Sequence, residues 1–297
     1  MKTLVLLLGV VVLTSAIDFS NLRRPEDLDS FWDRLDPSLQ KFRNTKAIPD
    51  RRILGGDLAE LGQFPYQAVV TAFWPNGNNI FCGGILVSTN FVLTAAHCVI
   101  SDSPASFGTI MVGAQNRQQQ EPSQQNSEFG TITPHPNYVA SLLRNDIAII
   151  SLASPVVFTE FVQPAVLPAL SDTRTFAGLT GTVSGFGRTS NTAGSPVSNQ
   201  LWFTSNPIMS NADCQAIWGT TWVTEQNICM SQEGGRTICH GDSGGPLTVA
   251  EDGGSLVVGM VSFLHVSGCI SDFPPGFVRM SHYLEWIAEE TDADIRD

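Results

Sequence analysis

Three short segments, widely separated along the chain, each supply one member of a possible nucleophile, base and acid set. Thr94-Ala95-Ala96-His97-Cys98 supplies an imidazole, Asp146-Ile147-Ala148-Ile149 a carboxylate, and Gly241-Asp242-Ser243-Gly244-Gly245-Pro246 a serine hydroxyl. A serine hydroxyl is a weak nucleophile at neutral pH, so a base has to take its proton and a buried carboxylate has to orient that base. The chain must therefore fold so that these three segments meet.

Each of these residues has an ordinary structural interpretation when it is considered alone. Core packing has no need for the combination of His97, Asp146 and Ser243, however, and we interpret the three as a catalytic triad. Their order, together with the Gly-Asp-Ser-Gly-Gly-Pro motif, resembles the chymotrypsin/trypsin-like serine protease family. The most similar members are the invertebrate digestive chymotrypsin-like, elastase-like and collagenolytic proteases.

The resemblance covers Ile53 to about Ala288 and implies an all-β, chymotrypsin-like fold of two six-stranded antiparallel β-barrels with a short C-terminal helix. The residues agree with this, because many short β-branched runs are separated by Gly, Pro and Asn. We predict strands at 67–73, 84–93, 146–152 and 256–263. Near the end, Ser281 is predicted to cap a helix in which apolar residues recur with helical spacing, namely Leu284, Ile287 and Ala288.

The amino terminus has the parts of a secretory signal peptide. Lys2 is followed by the apolar run 4–13 and then by small residues, so we place the cleavage after Ala16. A run of this length is too short to cross a bilayer, which takes about 20 residues. We therefore expect a secreted, extracellular protein with no membrane partner, divided into a signal peptide at 1–16, an activation propeptide at 17–52 and a protease domain at 53–297.

The junction Arg52-Ile53-Leu54-Gly55-Gly56 resembles the activation site of the family. The resemblance implies that a cut after Arg52 frees the amine of Ile53. That amine then pairs with Asp242 and orders the oxyanion hole and the specificity pocket. The precursor should be nearly silent before this cut, and a separate trypsin-like protease should make it.

Six cysteines, all after residue 81, suggest three disulfides in an exported chain, and sequence alone permits 15 connectivities. The resemblance implies the pairs Cys82–Cys98, Cys214–Cys229 and Cys239–Cys269. Neither a C-x-x-C pair nor an H-E-x-x-H helix occurs, so we expect no metal, and no cofactor is indicated. Some relatives bind calcium where Gln118–Glu128 lies, but this stretch offers few carboxylates, and we expect a flexible loop there.

The net charge of −12 argues against a nucleic-acid partner, because binding a phosphate backbone normally takes a basic surface. Beyond Arg52 there are seven arginines, 21 acidic residues and no lysine. The scarcity of basic residues leaves few sites for neighbouring trypsin-like enzymes. It suits a protein that works in a protease-rich lumen, although compositional drift explains it equally well.

The resemblance also assigns the substrate-binding residues. Backbone N–H groups of Gly241 and Ser243 form the oxyanion hole, and Ser262 backs the aspartate of the triad. The base of the specificity pocket is Thr237, where trypsin-like members carry aspartate, so cleavage after lysine or arginine is not expected. The remaining predicted substrate-binding residues are Ile238, Phe263, Leu264 and Pro275, which make the pocket apolar.

The sequence thus predicts a serine endopeptidase, a hydrolase made as a zymogen, that cleaves protein or peptide substrates after neutral apolar residues. The choice between small aliphatic and aromatic residues stays open. A digestive role is favoured because residues 17–52 hold no disulfide-framed module. A regulatory cascade protease is the alternative, and a catalytically silent protease-like binding protein is a third. Protein protease inhibitors are expected partners.

Overall fold

The computed structural model describes residues 55–192 and 194–297, so the predicted signal peptide and propeptide lie outside the described residues. The described chain is built mainly from antiparallel strands. These are β1 (Asp57–Leu58), β2 (Gln67–Phe73), β3 (Asn79–Leu86), β4 (Phe91–Thr94), β5 (Phe107–Val112), β6 (Gln125–Pro134), β7 (Ala148–Leu152), β8 (Thr180–Gly185), β9 (Trp202–Met209), β10 (Asn227–Met230), β11 (Pro246–Glu251), β12 (Gly254–Phe263) and β13 (Gly276–Arg279). Two α-helices accompany them, α1 (Asn211–Trp218) and α2 (Leu284–Glu290).

The first barrel closes in the order β2-β3-β4-β7-β6-β5. Side chains alternate between the two faces of a strand, so every second residue of β2 enters the barrel interior. Ala68, Val70 and Ala72 lie in this interior, whereas Val69 belongs to a different buried cluster on the opposite face. The period of two in the sequence thus supplies both the inside of the barrel and a surface for the second half of the chain.

The second barrel closes in the order β8-β9-β10-β13-β12-β11, because β8 pairs with both β9 and β11. Strand β1 adds two residues to the edge of β9. The interior is filled by branched and aromatic side chains, among them Val183, Ile228, Leu247, Val258 and Phe277. The predicted fold of two six-stranded antiparallel barrels is therefore confirmed.

A third buried cluster joins the two barrels. It combines Ile85, Leu93 and Ile149 of the first barrel with Met260 and Val278 of the second. Helix α2 adds Leu284 and Ile287 to the same cluster. Burial of a Leu or Ile side chain contributes about 1.5–3 kcal/mol, so this cluster fixes how the barrels meet.

The structure pairs the six cysteines as the resemblance implied. Cys82 bonds with Cys98, Cys214 with Cys229, and Cys239 with Cys269. The first bond ties strand β3 to the turn that carries His97, and the third ties the segment before Ser243 to the loop after β12. Two of the three segments that carry the proposed triad are thus held covalently.

The stretch Gln118–Glu128 differs from the expected flexible loop. The carboxylate of Glu121 accepts hydrogen bonds from the backbone N–H of Gln115 at 2.8 Å and of Asn116 at 3.1 Å, and from the side-chain amide of Gln124 at 3.0 Å. Strand β6 already begins at Gln125. A single carboxylate therefore organises this loop from within.

Two local predictions were wrong in detail. The strand expected at 84–93 is two strands, because the Ser88 hydroxyl accepts the N–H groups of Asn90 and Phe91 and closes a turn between them. Ser281 does not cap α2, since it lies inside a 3-10 turn, Met280–His282, that precedes the helix. Helix α2 begins after Tyr283 with no side-chain cap.

Among the helices within residues 55–192 and 194–297, none combines the length and the apolar character that crossing a bilayer requires.

Replacing Phe277 by alanine should lower the free energy of unfolding by about 3–5 kcal/mol, because the ring is fully buried inside the second barrel. Denaturant unfolding monitored by fluorescence measures the loss. Phe107→Ala is the matched control, since that ring is 59% exposed and stacks only on Phe73. It should cost less than about 1.5 kcal/mol. Equal losses for the two variants would contradict the assignment of Phe277 to the barrel core.

Candidate active site

His97 and Asp146 are joined by two hydrogen bonds. The backbone N–H of His97 donates to Asp146 Oδ1 at 2.9 Å, and His97 Nδ1 lies 2.8 Å from Asp146 Oδ2. His97 occupies a 3-10 turn directly after β4, and Asp146 lies just before β7, which is the neighbour of β4 in the first barrel. The pairing of these two strands therefore brings the imidazole and the carboxylate together.

The second barrel supplies a further donor to the same carboxylate. Ser262, the penultimate residue of β12, donates its hydroxyl to Asp146 Oδ2 at 2.6 Å. Asp146 is completely buried, so its charge depends on these donors for solvation. The position expected for Ser262, behind the aspartate, is the one observed.

The pKa of His97 reflects two opposing influences. Burial disfavours the charged imidazolium and lowers the pKa of His97, whereas the negative charge of Asp146 and its hydrogen bond raise it. The second influence prevails, and the pKa of His97 lies above the usual 6.5. Since Nδ1 contacts the carboxylate, the tautomer that donates from Nδ1 leaves Nε2 available as a base.

Ser243 lies in a tight turn that both barrels hold in place. Its carbonyl accepts the N–H of Gly83 on β3 at 2.8 Å, and the next N–H, of Gly244, donates to Val261 on β12 at 2.8 Å. Gly244 has φ +80°, and a Cβ there would lie 2.3 Å from Thr94 Oγ1. The glycine after the serine is therefore required for this close approach.

His97 and Ser243 line one cavity of about 300 Å³. Among the described residues no hydrogen bond joins the Ser243 hydroxyl to His97, although both border the same space. Such contacts are often long without substrate and tighten when it binds. The remaining lining residues are Leu143, Cys239, His240, Val261, Ser262, Phe263 and Leu264.

The predicted pocket residues separate into two groups. Ser262, Phe263 and Leu264 border the cavity, whereas Thr237 and Ile238 are buried and, like Pro275, do not border it. The hydroxyl of Thr237 makes no hydrogen bond in the described structure. No acidic side chain borders the cavity.

Two lining residues, Leu143 and Val261, were not predicted as part of the site. Leu143 ends a short 3-10 turn with a left-handed φ of 48°. No sequence pattern predicts this backbone conformation for a leucine. Val261 precedes Ser262 on β12 and is buried in the second barrel. An apolar residue in such a strand is explained by core packing, so its contact with the cavity was not predicted. His240 is exposed and borders the cavity.

Asp242 forms a second buried carboxylate beside the site. It accepts the N–H of Gly187 at 2.8 Å and of Cys239 at 2.8 Å. Burial raises the pKa of Asp242 to about 6, and the two backbone hydrogen bonds offset only part of this effect. Both donors are neutral backbone N–H groups. The Asp242 carboxylate therefore has no cationic partner among the described residues.

Gly241, the residue before Asp242, has a left-handed φ of 98° that side chains rarely adopt. Its N–H and that of Ser243 have no acceptor among the described residues. Two unpaired donors at the turn that carries Ser243 are the kind of group that binds a developing negative charge.

The one cluster of metal-ligand residue types in the described chain combines Cys82, His97 and Cys98. Its two cysteines form a disulfide, so they offer no thiolate. His97 is then the single ligand that remains, and it already contacts Asp146.

Comparison with known proteins gives one consistent family. The sequence model of the trypsin family matches residues 53–287. Brachyurin from Leptuca pugilator is 37% identical over 239 residues, which cover 80% of this chain and 98% of that protein. Trypsin-1 from Astacus astacus is 33% identical over 240 residues, covering 79% and 98% respectively.

The fold comparison agrees with the sequence comparison. A solved structure described as HL collagenase matches with a TM-score of 0.72 and 31% identity, over 82% of this chain and 100% of that one. The family match extends from the predicted activation junction into α2 and includes every residue of the site described above. The chain therefore belongs to the trypsin family of serine proteases.

Proposed function

We propose that this chain is a secreted endopeptidase, made as a zymogen, that hydrolyses peptide bonds after neutral apolar residues. The observation that carries the proposal is the convergence of His97, paired with buried Asp146, and Ser243 on one cavity. No acidic group borders that cavity, which argues for a neutral residue before the cleaved bond.

The three residues have separate roles in the proposed reaction. Ser243 Oγ attacks the carbonyl carbon while His97 Nε2 accepts its proton, and Asp146 stabilises the imidazolium that forms. His97 then gives the proton to the leaving amine, and the peptide bond breaks to leave an acyl-enzyme. Water attacks this ester with His97 again as the base, which releases the acid and restores the Ser243 hydroxyl.

The negative oxygen of each tetrahedral intermediate needs donors that are already in place. The unpaired N–H groups of Gly241 and Ser243 fill this role in the proposal. Removing one such donor in other enzymes costs about 10²–10³ in rate, so the geometry of this turn matters as much as the triad.

The pocket residues support an apolar selectivity. Phe263 and Leu264 border the cavity and no carboxylate does, whereas Thr237 and Ile238 are buried and do not border it. A substrate lysine or arginine would lose its hydration there with no partner. The enzyme therefore cannot readily cut after its own Arg52, and a trypsin-like protease is the proposed activator.

Activation is proposed to complete the Asp242 site. In the described structure this carboxylate is buried, has a raised pKa and is paired only with backbone N–H groups. The amine of Ile53, once freed, is a cation of the kind this carboxylate lacks. Their pairing would hold Gly241 and Ser243 in the conformation that binds the oxyanion.

Properties of the whole chain support the proposals of secretion and of a digestive role. The predicted signal peptide and the three disulfides suit an oxidising, extracellular environment. The scarcity of lysine and arginine beyond residue 52 suits a lumen that contains trypsin-like enzymes. A regulatory protease differs by cutting one protein at one bond, so cleavage of many unrelated proteins distinguishes the digestive role.

Hydrolysis should depend on Ser243 and on an apolar residue before the cleaved bond. Trypsin-treated protein, freed of trypsin, is tested with peptides that differ only at that residue, and with a covalent serine probe. Peptides with Ala, Val, Leu, Phe or Tyr should be cut, and Ser243→Ala should lose both hydrolysis and labelling. The size of the preferred residue decides between small aliphatic and aromatic substrates.

Two results of this experiment would contradict the proposal. Cleavage confined to Arg and Lys would overturn the interpretation of Thr237. Absence of labelling and hydrolysis in the cut protein would favour a protease-like binding protein instead.

Activity should rise with pH through the raised pKa of His97, because the base has to be neutral. The midpoint of the acid limb of kcat/KM should lie above 6.5. In Asp146→Asn the charge that raises this pKa is lost while burial remains, so the midpoint should move downward and the rate should fall about 10⁴-fold. A pH profile from 5 to 9, with Ser243→Ala as the background, measures both. An unchanged midpoint would contradict the assigned pairing.

Cleavage after Arg52 should switch the enzyme on, and Arg52→Gln should stay inactive after trypsin treatment. The new amine pairs with a buried carboxylate, which raises its pKa, so the activated state is favoured below that pKa and lost as the pH rises through it. Activity and N-terminal sequencing are measured together. Asp242→Asn is the control that should be cut normally but stay silent, and full activity in this variant would refute the role of the ion pair.

A further inference from the structure

The Asp146 carboxylate projects from a tight turn at the end of the loop between β6 and β7. The backbone N–H of Ile147 donates to the Asn145 carbonyl at 2.8 Å, which closes a three-residue turn with Asp146 at its centre. Asn145 has a left-handed φ of 50°, a conformation that asparagine adopts more readily than most residues. The direction of the Asp146 side chain depends on the backbone of this turn, so the contacts that fix the turn also fix the carboxylate.

The side chain of Asn145 is held at both ends of its amide group. Its Nδ2 donates to the Asn137 carbonyl at 2.6 Å, and its Oδ1 accepts the Tyr283 hydroxyl at 3.0 Å. Asn137 belongs to the same loop, whereas Tyr283 lies 138 residues after Asn145 and directly precedes α2. Tyr283 is buried, and its hydroxyl makes no other hydrogen bond to a described residue. The amide of Asn145 therefore ties the turn around Asp146 to the C-terminal segment.

His135 connects the other end of the turn to the same tyrosine. Its backbone N–H donates to the Ile147 carbonyl at 2.9 Å. Its ring packs edge-on against Tyr283, with 5.3 Å between the ring centres, and against Trp286 of α2, with 5.0 Å. Tyr283 thus contacts residues that hold both ends of the turn, and a displacement of this tyrosine would reach Asp146 from two sides.

The charge of Asp146 acts on the tyrosines around it. Burial raises the pKa of Tyr283, and the negative charge of Asp146 raises it further, whereas Arg144 lowers it. The pKa of Tyr138 is likewise raised by burial and by Asp146. The Tyr283 hydroxyl is therefore near the carboxylate, but it donates to Asn145 and not to Asp146. Its effect on the position of Asp146 has to pass through Asn145.

We propose that Asn145 and Tyr283 are positioning residues, which hold the Asp146 carboxylate where it accepts hydrogen bonds from His97 and Ser262. The inference rests on the proposed endopeptidase activity and adds the segment before α2 to the residues that support it. Neither Asn145 nor Tyr283 borders the 300 Å³ cavity, so both act through Asp146 and not on the substrate.

Tyr283→Phe tests this role, because it removes the hydroxyl and keeps the ring that packs against His135. In the trypsin-activated protein, freed of trypsin, kcat should fall about threefold to tenfold while KM changes by less than about twofold. The midpoint of the acid limb should move downward, as in Asp146→Asn but by less. A displaced carboxylate raises the pKa of His97 less, whereas burial still lowers it.

Tyr66→Phe is the matched control. It also removes a buried tyrosine hydroxyl, but one that lies beside Thr248 and Ser255 of the second barrel. This variant should leave kcat and the midpoint unchanged. Denaturant unfolding of both variants measures any loss of stability separately, since a role in folding alone would not move the midpoint.

Asn145→Gly removes the amide and keeps a backbone that reaches the left-handed conformation without strain. It should lower kcat at least as much as Tyr283→Phe and move the midpoint in the same direction. The double variant should be little worse than Asn145→Gly alone, because both changes break the same contact. Fully additive losses would mean that Tyr283 does not act through Asn145, which would overturn the proposal.

A measurement on activated Ser243→Ala tests the positioning without turnover. The proton between His97 Nδ1 and Asp146 gives a low-field NMR signal, which separates His97 from His135 and His282, the two histidines whose rings pack against Tyr283. The signal should move to higher field in the background of Tyr283→Phe and stay in place in that of Tyr66→Phe.

Two outcomes are decisive. A midpoint and a signal that Tyr283→Phe and Asn145→Gly both leave unchanged would overturn the proposal, even if these variants lose stability. Absence of hydrolysis in every variant and in the wild-type protein, with the change of the signal retained, would count against the endopeptidase activity and not against the positioning of Asp146.

Discussion

The buried carboxylate of Asp146 is the constraint on which the rest of the site depends. It receives two donors from His97 of the first barrel and one from Ser262 of the second. A desolvated charge of this kind is stable only while every donor is in place. These three hydrogen bonds therefore couple the orientation of the imidazole to the position of the second barrel, which the buried cluster between the barrels fixes.

A second buried carboxylate imposes a stricter demand on the backbone. Asp242 lies against Gly185 and Gly187, where a Cβ would come within 2.2 Å and 2.4 Å of its carboxyl group. Glycine is needed at both positions because a side chain would collide with the carboxyl group, and not because of the backbone angles. The carboxyl group can be buried next to Ser243 because Gly185, the last residue of β8, and Gly187 carry no side chains.

The sequence predicted the structure well where a short segment of the chain carries a chemical motif or a run of strand-forming residues. The β-branched run at 67–73 predicted β2 with the bounds that the structure shows, and the motifs around His97, Asp146 and Ser243 identified residues that the structure brings to one place. Leu143 escaped prediction because its place depends on an unusual backbone angle. The order of Gln118–Glu128 also escaped, because one carboxylate, Glu121, organises it through contacts that composition does not reveal.

The distribution of the disulfides has a mechanical consequence. Cys82–Cys98 lies within the first barrel, and the other two bonds lie within the second half of the chain, so no covalent bridge crosses between the halves. Between β7 and β8 the two halves are connected by a single stretch of backbone. A molecule nicked there would be a two-chain particle held by side-chain burial and by hydrogen bonds between the halves, including those of Asp146, of β1 with β9 and of Gly83 with the Ser243 carbonyl. The two pieces of such a molecule could therefore separate by unfolding, without reduction of a disulfide.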